Sequence, residues 1–129
     1  MQAILEIITK VYKIVNVTTV KAVIGGNVYR SKAPDNSSSE NIEIISGANV
    51  NDIVQEATLF VNYHVQNLPD GSINESKMKT LSAILIPLLE ADVDSTVISD
   101  EIFSNQERAG WAFYSVRLKV QAFNDQYTE

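Results

Sequence analysis

Residues 56–66, EATLFVNYHVQ, alternate between apolar and more polar positions with a period of two. Successive side chains of a β-strand point to opposite faces of the sheet, so this pattern predicts a strand. One face of the strand is apolar and would join a core, whereas the other carries Phe60, Asn62 and His64. We therefore expect a strand with one buried face and one mixed face.

A second segment, near the end of the chain, has the same periodicity. In residues 111–123, WAFYSVRLKVQAF, every second position from Ala112 onward is apolar, and the intervening positions are aromatic, polar or cationic. Such alternation is typical of an antiparallel strand with one solvated face. Further strand patterns cover residues 41–46 and 96–105, and residues 27–30 indicate a short extended piece.

Two segments have the spacing of amphipathic helices. Apolar residues recur every three or four positions in residues 2–16 and again after Asn74, whose side chain can cap a helix. Pro87 should kink or shorten the last turns of the second helix. Residues 17–24 are rich in β-branched side chains and fit either the frayed end of the first helix or a short strand. The order helix, three strands, helix, two strands predicts an α+β fold, in which a single mostly antiparallel β-sheet carries both helices.

The composition predicts one globular domain over residues 1–129. The chain is 45% hydrophobic and 20% charged, as folded proteins usually are. Its formal net charge of −6 argues against nucleic-acid binding, because phosphate contacts need clustered Lys and Arg. The chain has no cysteine, which excludes disulfides and thiolate chemistry. It also has no run of the roughly 20 apolar residues that a membrane span needs, so we expect a cytoplasmic protein without membrane contact.

The longest polar stretch is SKAPDNSSSE, residues 31–40. Pro34 biases the residue before it toward extended geometry, and the Ser and Asn residues that follow favour turns. A loop of this length inside a compact domain usually carries function or is disordered. We predict a flexible loop that becomes ordered against a neighbouring molecule.

No motif in the sequence specifies an active site. The pair Gly25 and Gly26 lacks the lysine and the following helix of a phosphate-binding loop. His64 is the only histidine, and the sequence near it has no carboxylate or serine signature of a nucleophilic triad, which favours a surface or interface role over a catalytic one. The acidic residues between positions 92 and 101 lack the spacing of a calcium loop and indicate a solvated helix exit rather than a metal site. We predict no catalytic, cofactor-binding or metal-binding residues.

Aromatic and cationic side chains fall on the strand faces opposite the predicted core. Aromatic residues and Arg are enriched in protein interfaces, so these faces are candidates for contact with other molecules. The alternatives are that a helix or the polar loop of the same chain covers the aromatic residues, and that the cations are solvated. With the residues that flank the polar loop, the predicted interface comprises Tyr29, Arg30, Lys32, Pro34, Phe60, His64, Trp111, Phe113, Arg117 and Lys119.

The chain also carries a series of local patterns in a particular order. Val28-Tyr29 is followed by Pro34, then by the strand NIEIIS, the long strand with FVNYHVQ, a central helix and GWAFYSVRLKVQAF. Over nearly the whole chain this series resembles the phage tail-completion proteins of the virion neck, also called tail terminator or head–tail joining proteins.

The resemblance implies a small α+β subunit that assembles into a ring, commonly a hexamer, at the end of the tail tube. Such a ring stops tail polymerisation and provides the surface on which the head docks. Its partners would be further copies of itself, the tail-tube protein and the head-connector protein. The resemblance implies no catalytic residue and no cofactor, and it implies a location in the virion after assembly in the bacterial cytoplasm.

Two other classes of function remain open on the sequence. One is a monomeric acidic binding or inhibitor module of bacterial or prophage origin, whose negative surface would meet a basic partner. The other is a small enzyme in which His64 and an acidic residue form the catalytic pair. The mass in solution separates a ring from a monomeric inhibitor.

Overall fold

The computed structural model describes residues 2–34, 37–48 and 52–122. They form a predominantly antiparallel α+β fold, which confirms the predicted class. No helix among these residues is long and apolar enough to cross a membrane. In chain order the elements are β1 (Gln2–Ala3), α1 (Ile4–Val15), α2 (Thr18–Ile24), β2 (Val28–Tyr29), β3 (Ile42–Ser46), β4 (Ile53–Val54), β5 (Glu56–Gln66), α3 (Glu75–Glu90), β6 (Ser95–Ser104) and β7 (Trp111–Gln121).

The main sheet has five strands in the order β2-β3-β5-β7-β6. All neighbours are antiparallel except β2 and β3. The two segments with the clearest period of two, β5 and β7, pair along their whole length in the middle of the sheet. A separate two-residue ribbon forms where β1 pairs with β4. The predicted strand at 111–123 is described as far as Gln121, and its last residue, Phe123, lies outside the described residues.

Helices α1 and α3 pack on one face of the sheet, and the core lies between these helices and the sheet. The inward positions of β5 are all buried, as the alternation predicted, and so are those of β7. Tyr114 of β7 points into this layer, and its hydroxyl bonds Ser82 of α3 at 2.9 Å and Asp100 of β6 at 2.7 Å. Burial and the nearby Asp100 carboxylate raise the pKa of Tyr114 to about 12. This hydroxyl therefore joins the helix layer to the edge of the sheet.

Residues 17–24 form neither a frayed end nor a strand, so both readings of this segment were wrong. They fold into α2, because Val20 and Ile24 lie four positions apart and can share one buried side of a helix. Gly25 ends the helix with a φ of 72°, and its N–H bonds the carbonyl of Lys21. Helix α3 is capped by Asn74 as predicted and continues through Pro87 to Glu90.

The length of the polar loop follows from the parallel pairing of β2 with β3. A chain that joins two parallel neighbouring strands must return to its starting end, which takes about a dozen residues. Residues 30–41 make that return. In most proteins such a crossover contains a helix. Here the described residues, 30–34 and 37–41, contain no helix, and Lys32, Pro34 and Ser37 lie on the face of the sheet opposite α1 and α3. We call residues 30–41 the crossover.

Asn41 fixes the base of the crossover. Its buried side chain accepts a hydrogen bond from the N–H of Asn27 at 2.8 Å and donates to the hydroxyl of Ser37 at 3.0 Å. Gly26 lies directly against it, since a Cβ atom there would come within 2.5 Å of both the Asn41 Oδ1 atom and the Glu40 carbonyl oxygen. Only glycine fits this approach without a backbone shift.

Candidate interaction face

The face of the main sheet away from the helices has no helix over it in the described part of the chain. We call it the open face. Its central residues come in register pairs from neighbouring strands, because directly opposed residues of an antiparallel pair share a side. These pairs are Ile45 with Phe60, Glu43 with Asn62, His64 with Phe113, Phe60 with Arg117, Thr58 with Lys119, and Phe103 with Phe113.

The part of the open face around His64 and Phe113 is a groove of about 1180 Å³. The crossover forms one wall through Lys32 and Pro34, and the turn between β6 and β7, residues 105–110, forms the other. The floor comes from four strands of the sheet, and it includes Glu43 of β3, His64 of β5, Phe113 of β7 and Phe103 of β6. The groove is thus a recess built on rigid strands and bounded by two irregular segments.

A stack of three rings runs across the floor of the groove. The rings of Phe103 and Phe113 are 5.1 Å apart and stacked, and the imidazole of His64 is 5.4 Å from Phe113. Phe103 remains 41% exposed, so the stack ends in an uncovered aromatic surface on β6. Large exposed aromatic rings on a strand are uncommon on surfaces that stay in water and common at interfaces.

His64 and Glu43 form a pair that holds the crossover to the sheet. The His64 Nε2 atom lies 2.9 Å from Glu43 Oε1, and the backbone N–H of Ala33 donates to the other carboxylate oxygen. Burial acts to raise the pKa of Glu43, but the hydrogen bonds from His64 and Ala33 outweigh it and hold this pKa below its usual value. The sequence near His64 gave no sign of this carboxylate, because Glu43 is distant in sequence but adjacent in the sheet.

A second contact connects the two walls of the groove. The guanidinium of Arg108 lies 3.7 Å above the ring of Trp111 and donates to the carbonyl of Ser37 at 2.5 Å. Trp111 is only 7% exposed as a result, although it lies on the open face. Arg108 therefore clamps the β6–β7 turn to the crossover and closes the groove above Trp111.

One polar atom on the groove floor has no partner within the described residues. The Oδ1 atom of Asn62 is buried and accepts no hydrogen bond there. Asn62 lies opposite Ser115 on β7 and beside His64 on the open face. A buried acceptor without a donor costs roughly 1–3 kcal/mol, and a donor from a second molecule would remove that cost.

The structure brings most of the predicted interface residues together. Six of them lie on the open face: Phe60, His64, Trp111, Phe113, Arg117 and Lys119. Lys32 and Pro34 line the groove, and Tyr29 lies at the sheet edge opposite Glu43. Arg30 is separate from the others, because its side chain bonds Thr9 at 3.4 Å and lies over the ring of Tyr12 on α1. Five residues used in this description of the site were not among the predicted interface residues: Glu43, Ile45, Asn62, Phe103 and Arg108.

The acidic residues between positions 92 and 101 do not converge on one point. Asp92 and Asp94 bind the ammonium group of Lys10 at 3.2 and 2.9 Å. Asp100 accepts from Tyr114 on the helix side of the sheet, whereas Glu101 pairs with Ser115 in the register. Within residues 2–34, 37–48 and 52–122 no cluster of three His, Asp or Glu side chains could hold a metal ion.

The fold has a counterpart among solved structures. A chain from the virion of a native gene transfer agent particle superposes with a TM-score of 0.59, at 12% sequence identity, over 92% of this chain and 93% of that chain. At such an identity the similarity shows a shared fold. No family model matches the sequence, and no curated protein matches it significantly.

Proposed function

We propose that this chain is a non-enzymatic structural protein of a phage-like virion. In this proposal, copies of the chain form a ring in the virion neck, which terminates the tail tube and joins it to the head. The observation that carries the proposal is the open face, where a preformed groove with an exposed aromatic stack lies on rigid strands. Such a surface is suited to burial against another protein.

The fold supports a role in a virion. A chain of the gene transfer agent virion shares it over almost the full length of both chains, and the sequence resembles the tail-completion proteins over nearly the whole chain. One fold serves many functions, so the fold needs a matching surface to support the same role. The open face supplies that surface.

The chemistry of the groove favours binding over catalysis. Both groups of the His64–Glu43 pair are engaged in attaching the crossover, and a phenyl ring packs on the imidazole. Arg108 is likewise held between Trp111 and Ser37. The groups that could act as acid, base or electrostatic catalyst therefore position the walls of the groove. Among the described residues nothing donates to the Oδ1 atom of Asn62, and a partner's N–H group can satisfy it.

A ring places further demands on the subunit. Each copy must present two different surfaces to its neighbours, and the rotation between copies must close the circle. We assign the open face to one of these surfaces and propose the tail-tube and head-connector proteins as the partners above and below the ring. A neighbouring copy is proposed to cover the crossover, which is attached at Ala33 to Glu43 and at Ser37 to Arg108. The protein would be made in the bacterial cytoplasm and would end in the virion.

Deletion of the gene in a strain that produces the particles tests this function. We expect tubes of uncontrolled length and heads without tails in electron micrographs, and rescue by the wild-type gene. A gene with Phe103→Glu should not rescue, whereas one with Val93→Glu should, because Val93 is an exposed apolar residue away from the open face. Normal particles from the deletion strain would contradict the proposal. They would favour the monomeric acidic inhibitor, which the net charge of −6 supports.

A further inference from the structure

The main sheet ends on one side in a long strand whose outer edge is unpaired. Strand β6 has ten residues and is the last strand of the sheet, beyond β7. The opposite edge of the sheet is β2, which has only two residues. Among the described elements, none pairs with the outer side of β6. Exposed edge strands are usually kept short, so an edge of this length indicates a surface on which another strand can pair.

The register with β7 shows which backbone groups of β6 point outward. Hydrogen-bonded and non-bonded pairs alternate along an antiparallel ladder. The N–H of Asn105 donates to the carbonyl of Trp111 at 2.9 Å, so this pair is a bonded one, and the bonded residues of β6 are then 99, 101 and 103. The N–H and carbonyl groups that point away from the sheet are therefore those of Asp100, Ile102 and Ser104. We call the outer side of residues 99–104 the free edge.

The free edge lacks most of the features that protect edge strands from pairing. A bulge interrupts the register between Val97 and Ser99, but from Ser99 to Ser104 the register with β7 is continuous. Strand β6 contains no proline and no lysine, which are common on protected edges. Its two charged residues are the acids Asp100 and Glu101. Acids repel an acidic strand but attract a basic one.

The charge of the free edge identifies the kind of strand that fits it. Residues 95–107 contain three acids, Asp100, Glu101 and Glu107, and no Lys or Arg. The carboxylate of Asp100 already accepts a hydrogen bond from Tyr114. The side chain of Glu101 is exposed on the open face, and no described residue bonds or pairs with its carboxylate. Glu101 is thus the acid that remains for a partner.

The cations close to β6 do not neutralise the free edge. Arg117 lies one strand inward, on β7, and forms no ion pair with any described acid. Lys119 on the same strand pairs with Glu56 at 3.4 Å. Arg108 follows β6 in the turn, where its guanidinium is engaged in clamping the turn to the crossover. The outermost strand of the sheet therefore presents negative charge to whatever approaches it.

A second copy of β6 is a poor partner for this edge. Pairing about Glu101 would place its carboxylate directly opposite its own copy, and like charges in that position are destabilising. A segment with Lys or Arg opposite Glu101 would instead form a cross-strand ion pair. Toward an added strand, Glu101 and Phe103 occupy the non-bonded positions, where opposed side chains come closest. The side chain opposite Phe103 would cover that exposed ring.

We propose that the free edge of β6 binds an extended basic segment of another protein by addition of a β-strand. The outward backbone groups of residues 100, 102 and 104 would supply the affinity, and a Lys or Arg opposite Glu101 the specificity. The inference goes beyond the proposed function and does not depend on it. It uses the backbone of one strand at the edge of the sheet, and it applies to a single copy as well as to a ring.

A short blocked peptide that alternates lysine and valine is the probe, and NMR of the full-length, isotope-labelled chain is the assay. We expect saturable binding that slows amide exchange at residues 100, 102 and 104. Exchange at residues 101 and 103 should change little, because their N–H groups already bond β7. With lysines opposite Glu101 and Phe103, the valine N–H groups of the peptide face β6. Methylation of these N–H groups should abolish binding, whereas methylation of the lysine N–H groups should not.

Glu101→Lys tests the role of charge. The variant should bind the lysine peptide about tenfold more weakly, because a cross-strand attraction becomes a repulsion. It should also bind a peptide with glutamate in place of lysine more tightly than the wild type does. Glu6→Lys is the matched control, because it makes the same charge change on α1, on the other side of the sheet, and should bind like wild type. Circular dichroism and thermal melting verify that each variant is folded.

The outcomes separate this inference from the proposed function. A wild-type chain that does not bind the lysine peptide overturns the inference, and so does binding that protects amides elsewhere than at the free edge. Equal affinity for the lysine and glutamate peptides overturns it as well. None of these results bears on the ring. A chain that binds the peptide as expected but never forms a multimer contradicts the ring and leaves the inference intact.

Discussion

Replacing Arg108 with alanine should release the clamp between the two walls of the groove. The variant loses a charged hydrogen bond to the Ser37 carbonyl and the stacking of the guanidinium on Trp111. A hydrogen bond to a charged group contributes roughly 1.5–3 kcal/mol, and an exposed cation–π contact about 0.5–1 kcal/mol. Because Arg108 is half-buried and partly screened by water, we expect a smaller loss of unfolding free energy, about 1–2 kcal/mol in total.

The single tryptophan of the chain makes this loss directly visible. Trp111 is 7% exposed under Arg108, so its emission should shift to longer wavelength in the variant and become easier to quench with acrylamide. The melting temperature should fall by several degrees, on the order of 4–8 °C. Arg117→Ala is the matched control, because Arg117 lies on β7 six positions after Trp111. This variant should leave the emission of Trp111 unchanged. An Arg108→Ala variant with wild-type emission and quenching would refute the clamp.

Three further substitutions test other parts of the structure. Gly26→Ala should destabilise the fold by about 1–3 kcal/mol in denaturant titrations, since its Cβ would collide with Asn41, whereas Gly47→Ala, with open space around it, should be nearly neutral. Tyr114→Phe should lower the free energy of unfolding by about 1–2 kcal/mol, because the hydrogen bonds of the hydroxyl are lost. The stability of the wild type should also fall between about pH 10 and pH 12, because Tyr114 ionises at a lower pH in the unfolded chain than in the folded one. The variant should lose less stability over this pH range. Glu43→Gln should lower stability at neutral pH and flatten its decline in acid, because the stability that this carboxylate contributes above its ordinary pKa of 4.5 is lost as it becomes protonated. A steep acid decline that survives in Glu43→Gln, or unchanged melting of Tyr114→Phe, would contradict these contacts.

The central strands could be predicted from the sequence because their two faces meet different environments. Strand β5 is bounded by the same residues as the predicted segment, and its register with β7 brings the predicted aromatic and cationic residues to one side. One face of each strand is buried and the other is not, so apolar and polar residues alternate along the sequence and predict the strand. The cap at Asn74 is equally local, since it depends on one side chain and the first turn of the helix.

The parts that the sequence did not reveal depend on contacts between distant residues. Glu43 reaches His64 only because β3 and β5 are neighbours, and the parallel partner of β2 leaves no local signature. Arg108 lies in a turn, where its stacking on Trp111 follows no period. Phe103 was missed because the register between β6 and β7 shifts between Val97 and Ser99, which interrupts the alternation along β6. In each case a tertiary contact decides the role of the residue.

The mass of the full-length chain in solution, measured by native mass spectrometry over a range of concentrations, tests the central claim most directly. The claim is that the open face binds further copies of the chain in a closed ring. We expect one discrete multimer to grow with concentration at the expense of the monomer, and we expect Phe103→Glu to abolish it. A wild-type chain that remains monomeric up to the highest concentration, or a multimer that Phe103→Glu leaves intact, would contradict the claim.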